Sequence, residues 1–304
     1  MSKKTINLSK FTTYKFGGNA TSFFEIKSEN DLLEISKKFD MESAYILGKG
    51  SNIVFSDSEH DYPILNSKLI FINITKDNSV LEIGSGVYLP DLSRFLKSHN
   101  FTGGEFMLGI PGSVGGAFAM NAGCYGNEFF DNLLSVRVFD FKSKSIYELL
   151  KSDIEYGYRK VNLKNVMLLS VKMQFHKDNP TEIKNKNEKF YKLRKISQPP
   201  AIYNAGSVFK NGKDYFAGKL IEESGLKGFR LKDVRVSEKH ANFFIADKGA
   251  KALNLYNLVQ YVKDEVAKKF SIELEEEIIF KGKFWIQIFI SCNQIILNHS
   301  SYLL

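Results

Sequence analysis

The sequence predicts a mixed α+β fold built from short strands and short helices. Three observations carry that expectation. Period-two alternation is confined to short runs, of which residues 135–141 (SVRVFDF) are the clearest. Helical spacing recurs elsewhere: in Leu32, Leu33, Ile35 and Phe39, in Leu92, Phe95 and Leu96, and in Leu255, Leu258, Val259, Val262 and Val266. Glycine clusters interrupt both patterns, most densely at residues 103–126, where eight of 24 positions are glycine. The 304 residues suggest about two domains. A composition of 43% hydrophobic and 25% charged residues suits a globular chain with a sizeable core. The sequence has no internal repeat and no low-complexity segment.

Taken in order, residues 12–19 read as an extended piece closed by Gly17-Gly18, and 23–26 as a short strand. A helix over 29–39 follows, with Ser28 as its N-cap. Apolar runs at 44–47 and 53–55 read as strands on either side of Gly48-Lys49-Gly50-Ser51-Asn52. That tight glycine turn could present successive N–H groups to an anion. Further β-like runs lie at 69–74 and 80–83, then a helix over 89–99. Strands are expected at 135–141, 145–150 and 166–175, with a turn at 156–159 between the last two. Residues 184–196 form a polar helical connector. Pro199-Pro200 ends it, because the residue before a proline is pushed out of the helical region. The domain boundary is placed there. Beyond it come a short helix over 217–225 with Gly225 at its C′ position and a polar turn entering a strand over 236–246. An amphipathic helix over 255–266 and, by alternation, a strand over 271–280 (SIELEEEIIF) complete the series.

The net charge of +8 favours anionic partners. The basic residues are nevertheless dispersed, and the densest run, 184–195, contains Glu188 and reads as a solvated helix face rather than a nucleic-acid surface. Cys124 and Cys292 form no CxxC, and the five histidines are scattered. No disulfide framework and no metal site are expected, and a reducing cytoplasm fits. No apolar segment follows the N-terminal charges, so no signal peptide is expected. The longest apolar run, 284–297, is short and broken by polar residues, so no membrane span is expected.

Small residues packed as densely as in 103–126 let the backbone approach a bulky ligand closely. On composition alone, a ligand cradle and ordinary turns between buried elements account for it equally well. If it is a cradle, a valine at Gly115 should block the ligand. Two common phosphate motifs fail. Ile53 stands where the dinucleotide fingerprint needs its third glycine, and five residues rather than four separate Gly206 from Gly212-Lys213.

Three pieces in order are more specific than any one alone. They are Leu47-Gly48-Lys49-Gly50-Ser51-Asn52; Gly109-Ile110-Pro111-Gly112-Ser113-Val114-Gly115-Gly116 with Asn121-Ala122-Gly123-Cys124-Tyr125-Gly126; and Ala205-Gly206-Ser207-Val208-Phe209-Lys210-Asn211. In this order, and with residues 217–228, 236–242 and 274–282, the chain resembles the MurB family of UDP-N-acetylenolpyruvoylglucosamine reductases over about residues 12–282. The similarity is to the family's shorter form, because no large insertion separates Arg159 from Ala205.

The resemblance implies an FAD-binding PCMH (vanillyl-alcohol-oxidase) type domain over 1–190, in two subdomains split near 65. It further implies a substrate-binding α+β domain over 196–283, and leaves 284–304 as a tail without an assigned role. It implies non-covalent FAD, with the pyrophosphate on Gly48, Lys49, Gly50, Ser51 and Asn52. The flavin would be held by Gly109, Ile110, Pro111, Gly112, Ser113, Gly115, Gly116, Asn121, Ala122, Gly123, Tyr125 and Gly126. NADPH is the implied reductant and UDP-N-acetylglucosamine enolpyruvate the substrate. A cytoplasmic protein acting as a monomer in peptidoglycan precursor synthesis is expected.

The implied chemistry delivers a hydride to an enolpyruvyl alkene. Charge developing beside the substrate carboxylate then needs an electrostatic clamp, and the neighbouring carbon needs a proton. Arg159 matches the family's clamp arginine, Ser207 its proton donor and Glu277 its second clamp residue. Lys195 and Asn211 match substrate contacts. Alternation alone places Glu275 and Glu277 on one strand face and does not choose between them. This chain departs from the family pattern at Lys160-Val161, at Gly212, which is expected to loosen its loop, and at Glu276, where proline is usual. Another FAD-dependent oxidase of the same fold is the alternative reading, and a basic nucleic-acid-binding protein the alternative of a different class.

Overall fold

The computed structural model describes residues 4–284, so the expected tail from 285 onward lies outside the described residues. The chain divides into two compact units, and the division is not one linear cut. Unit 1 comprises residues 1–6, 20–49 and 61–197, and unit 2 comprises 7–19, 50–60 and 198–304. One change of unit falls after residue 197, at the end of the polar helix, and two N-terminal excursions, 7–19 and 50–60, belong with the C-terminal residues.

Among the described residues, unit 1 holds two sheets of more than two strands. The first has the order Lys4–Asn7, Asn19–Ile26, Ile64–Ser67, Tyr45–Leu47, and its last three strands run parallel. The second is antiparallel, in the order Ile146–Leu150, Leu133–Asp140, Val166–Gln174, Val80–Gly84, Ile72–Ile74. Helix α1 (Glu29–Ser36) starts where expected. The Ser28 hydroxyl accepts the Asp31 N–H and the Asp31 carboxylate accepts the Ser28 N–H, a reciprocal cap. Helix α2 (Leu89–Ser98) buries Leu92 and Leu96 against Leu81, Val136 and Val171.

The glycine-rich stretch departs from expectation, because it contains a helix, α3 (Val114–Ala119), despite Gly115 and Gly116. Ser113 makes it possible: its Oγ accepts the Gly116 N–H and so caps the first turn. Helix α4 (Pro180–Ser197) stops just before Gln198-Pro199-Pro200, as the prolines require.

Unit 2 packs α5 (Ala217–Glu223) and α6 (Ala252–Phe270) on an antiparallel sheet of Arg230–Leu231, Val234–Val236 and Phe244–Ala246. Its core joins Tyr14 and Val54 from the N-terminal excursions to Phe209, Phe244, Leu255, Leu258 and Val262. Gly225 ends α5 at φ +75°, a conformation open to glycine without strain.

Residues 271–280 are mostly not a strand. Ser271 turns left-handed at the end of α6, and only Ile279–Lys281 forms a ladder, parallel to Ile53–Phe55. Alternation misled here because the acidic run is held by individual contacts, described below, rather than by continuous pairing.

Candidate active site

In unit 1, Gly48 meets the second glycine stretch. A Cβ on Gly48 would stand 2.6 Å from Ser113 Oγ, so a larger residue would displace the hydroxyl that caps α3. Among the described residues, the N–H groups of Lys49, Gly50, Ser51 and Asn52 find no acceptor. Gly50 lies at φ +66°. Such a run of unsatisfied donors fits a pyrophosphate. Lys49 lies exposed over the Tyr88 ring, 5.8 Å from its centroid.

The glycines of 109–126 do different work from one another. A Cβ on Gly115 would come within 3.2 Å of the Ser85 carbonyl, to which the Gly115 N–H also donates. The expected Gly115 block on the ligand is therefore corrected: a valine there collides with the chain's own backbone. The open side belongs to Gly116, whose nearest neighbour is Ser113 Oγ at 3.5 Å. Gly116→Leu is expected to release FAD while keeping the melting temperature close to wild type, and Gly115→Val to lower the melting temperature. Flavin absorbance and thermal denaturation of the two purified variants decide this, and a fully flavin-loaded Gly116→Leu protein would contradict it.

Asn121 is fully buried, and its side chain is spent within the protein. Its Nδ2 donates to Glu128 Oε2 (2.8 Å) and to the Gly157 carbonyl (3.1 Å), and its Oδ1 accepts the Phe130 N–H. Gly123–Cys124 and Asn127–Glu128 form a hairpin whose two loop residues, Tyr125 and Gly126, both have positive φ. That is the turn whose twist matches its strands. Tyr125 stacks on Phe190 of α4, with ring centroids 5.2 Å apart. Burial pushes the Cys124 thiol up to about 11, so it stays protonated and is no nucleophile.

Arg159 sits at the tip of a second hairpin, between Tyr156–Gly157 and Lys160–Val161. Its φ is +54°, a conformation costing a non-glycine residue on the order of 1–2 kcal/mol. Its guanidinium donates to the Asn121 (3.2 Å) and Gly123 (2.5 Å) carbonyls. The clamp candidate is thereby locked to the glycine-rich stretch. The departure at Lys160-Val161 is accommodated as the hairpin's second strand.

Two residues overlooked in the sequence stand out. Arg194 packs against Gly109, and among the described residues it alone of the six arginines meets no acceptor. Burial pushes its pKa below the usual guanidinium value. The signal was available in the spacing: Ile183, Asn187, Phe190 and Arg194 share one face of α4. Lys195, the next residue, is exposed. The other residue is Asn242. Its Nδ2 donates to the Phe209 carbonyl (2.7 Å) and its Oδ1 accepts the Phe209 N–H (2.9 Å).

In unit 2 these bonds fix the Ser207 segment. Ser207 bridges to Phe243 and Phe209 to Glu276. The Glu277 N–H donates to the Val208 carbonyl (2.8 Å), and Asn52 Nδ2 donates to the Glu277 carbonyl (2.9 Å). Ser207, Glu277 and Asn52 are thus carried on one bonded ribbon. Of the three glutamates, Glu275 pairs with Lys210 (2.5 Å) and Glu276 with Lys263 (3.0 Å). The Asn211 Oδ1 accepts the Ala217 N–H at the start of α5. Gly212 is not loose, because its N–H donates to the Tyr215 carbonyl and a Cβ would strike the Tyr215 ring.

His240, beside this ribbon, accepts the Asn242 N–H at Nδ1 (3.2 Å), and burial lowers its pKa. The unfolded chain therefore takes up a proton first as pH falls below about 6.5, and the folded state loses stability. Melting of His240→Gln across this range is expected to show a smaller acid loss than the unaltered chain. An equal loss would remove His240 as a cause.

Among the described residues no His, Cys, Asp and Glu cluster suits a metal, and no helix is long and apolar enough to cross a membrane. Known families account for the arrangement. The model of the UDP-N-acetylenolpyruvoylglucosamine reductase C-terminal domain matches residues 198–281, and that of an FAD binding domain matches residues 21–147. The UDP-N-acetylenolpyruvoylglucosamine reductase of Prochlorococcus marinus is 35% identical over 286 residues, 92% of this chain and 97% of that protein. The one from Fervidobacterium nodosum is 36% identical over 277 residues, 89% of each. The crystal structure of MurB from Thermus caldophilus superposes with a TM-score of 0.82 at 28% identity, covering 92% of this chain and 99% of that one. The chain belongs to the UDP-N-acetylenolpyruvoylglucosamine reductase (MurB) family, in its short form.

Proposed function

We propose that this chain reduces UDP-N-acetylglucosamine enolpyruvate to UDP-N-acetylmuramate for peptidoglycan precursor synthesis, with Arg159, Ser207 and Glu277 acting on the substrate. The family match over nine-tenths of the chain carries the activity. Bound FAD, reduced by NADPH, supplies the hydride. The unsatisfied N–H run of the first glycine turn supports its assignment to the pyrophosphate, and the open side of Gly116 supports placing the flavin along the second stretch.

Arg159 stands at the tip of its hairpin with its guanidinium against the glycine-rich stretch, which supports its place beside the flavin. Its guanidinium opposes charge on the substrate carboxylate as the enolate forms. Ser207 donates the proton to the carbon beside it. A serine hydroxyl is a weak acid, so this works only toward a strongly basic carbanion. Glu277 is the second clamp member, at the position that matches the family's motif. Lys195 and Asn211 contact the UDP-sugar. A monomer in the cytoplasm is the working form.

NADPH oxidation followed at 340 nm tests this. It is expected only when UDP-N-acetylglucosamine enolpyruvate is added under anaerobic conditions. Oxidation supported by oxygen alone would favour an oxidase of the same fold.

A further inference from the structure

A buried amide beside the first glycine turn is unexplained by packing. Asn66 lies in the strand Ile64–Ser67 and is 5% exposed. Its Nδ2 donates to the carbonyls of Leu47 (2.7 Å) and Gly48 (3.0 Å), two successive carbonyls of one turn. Its Oδ1 is buried and has no hydrogen-bond donor among the described residues. A buried acceptor left unsatisfied is a standing cost. The amide is therefore explained by what its nitrogen holds.

Across a planar trans peptide the C=O and the following N–H point in opposite directions. Drawing the Leu47 and Gly48 carbonyls to Asn66 turns the N–H groups of Gly48 and Lys49 to the other side. Neither N–H meets an acceptor among the described residues. We propose that Asn66 is a positioning residue for the FAD pyrophosphate, orienting the Gly48 and Lys49 N–H groups toward its oxygens without touching the cofactor itself. This rests on the reading that Gly48-Lys49-Gly50-Ser51-Asn52 takes the pyrophosphate.

The test uses the full chain stripped of flavin and titrated with FAD and with riboflavin, which shares the isoalloxazine but has no phosphate. Wild type is expected to bind FAD far more tightly than riboflavin. In Asn66→Ala the FAD Kd is expected to rise about tenfold to a hundredfold, the scale of two lost hydrogen bonds, with the riboflavin Kd unchanged. Asn66→Ser, which keeps one donor, should fall between, and it carries the test if the alanine variant does not fold. Folded variants that keep the wild-type FAD-to-riboflavin ratio, or that lose both ligands equally, would overturn the role of Asn66 and leave the loop assignment standing. Wild type that binds the two ligands equally would overturn the loop assignment itself.

Discussion

Arg159→Met is expected to lower turnover by about a hundredfold to a thousandfold while leaving FAD bound and its reduction by NADPH unchanged. The two halves separate because the guanidinium is needed only where charge develops on the substrate. Arg159 also grips the carbonyls of Asn121 and Gly123, so its loss could act through the glycine-rich stretch. Flavin occupancy and the rate of NADPH-driven bleaching distinguish these routes. A slowed substrate half-reaction with both of those intact assigns the loss to the clamp. Loss of flavin, or equal slowing of both halves, would mean that Arg159 serves only to hold the loop.

Ser207→Ala is expected to cost about 10²–10⁴ in turnover, again in the substrate half-reaction alone. Removing one hydroxyl leaves the ribbon's backbone bonds to Phe243, Asn242 and Glu277 in place, so folding and flavin content should not change. Rapid-quench product analysis after mixing the NADPH-reduced variant with substrate checks it. A variant that forms UDP-N-acetylmuramate at the wild-type rate would show that the proton comes from elsewhere.

Much of the fold was legible because local rules decided it. The Ser28 cap, the glycine end of α5, the proline stop of α4 and the apolar face of α6 all behave as their residues dictate. Residues 271–280 were misread because alternation reports which side chains share a face, and says nothing of whether a partner strand runs alongside. Helix α3 was missed because propensity disfavours Gly115 and Gly116, whereas one serine cap and the packing of Val114, Ala117 and Phe118 outweigh them. The interleaving of 7–19 and 50–60 with the C-terminal unit is a tertiary property with no local signature.

The site was legible in its motifs and much less so in its supports. Motifs gave Gly48-Lys49-Gly50-Ser51-Asn52, Arg159, Ser207 and Glu277 as candidates. The asparagines that hold them, Asn66, Asn121 and Asn242, act through side-chain hydrogen bonds to backbone groups as far as 36 positions away, which no spacing rule reveals. Roles for glycines were least legible of all. Gly115 and Gly116 are neighbours in sequence, yet one faces Ser85 and the other open space.

The most direct test is an anaerobic stopped-flow experiment on the FAD-loaded protein, bleached with one equivalent of NADPH and then mixed with UDP-N-acetylglucosamine enolpyruvate. Recovery of the oxidised flavin absorbance, with stoichiometric UDP-N-acetylmuramate, is the expected result. A flavin that stays bleached until oxygen is admitted would contradict it.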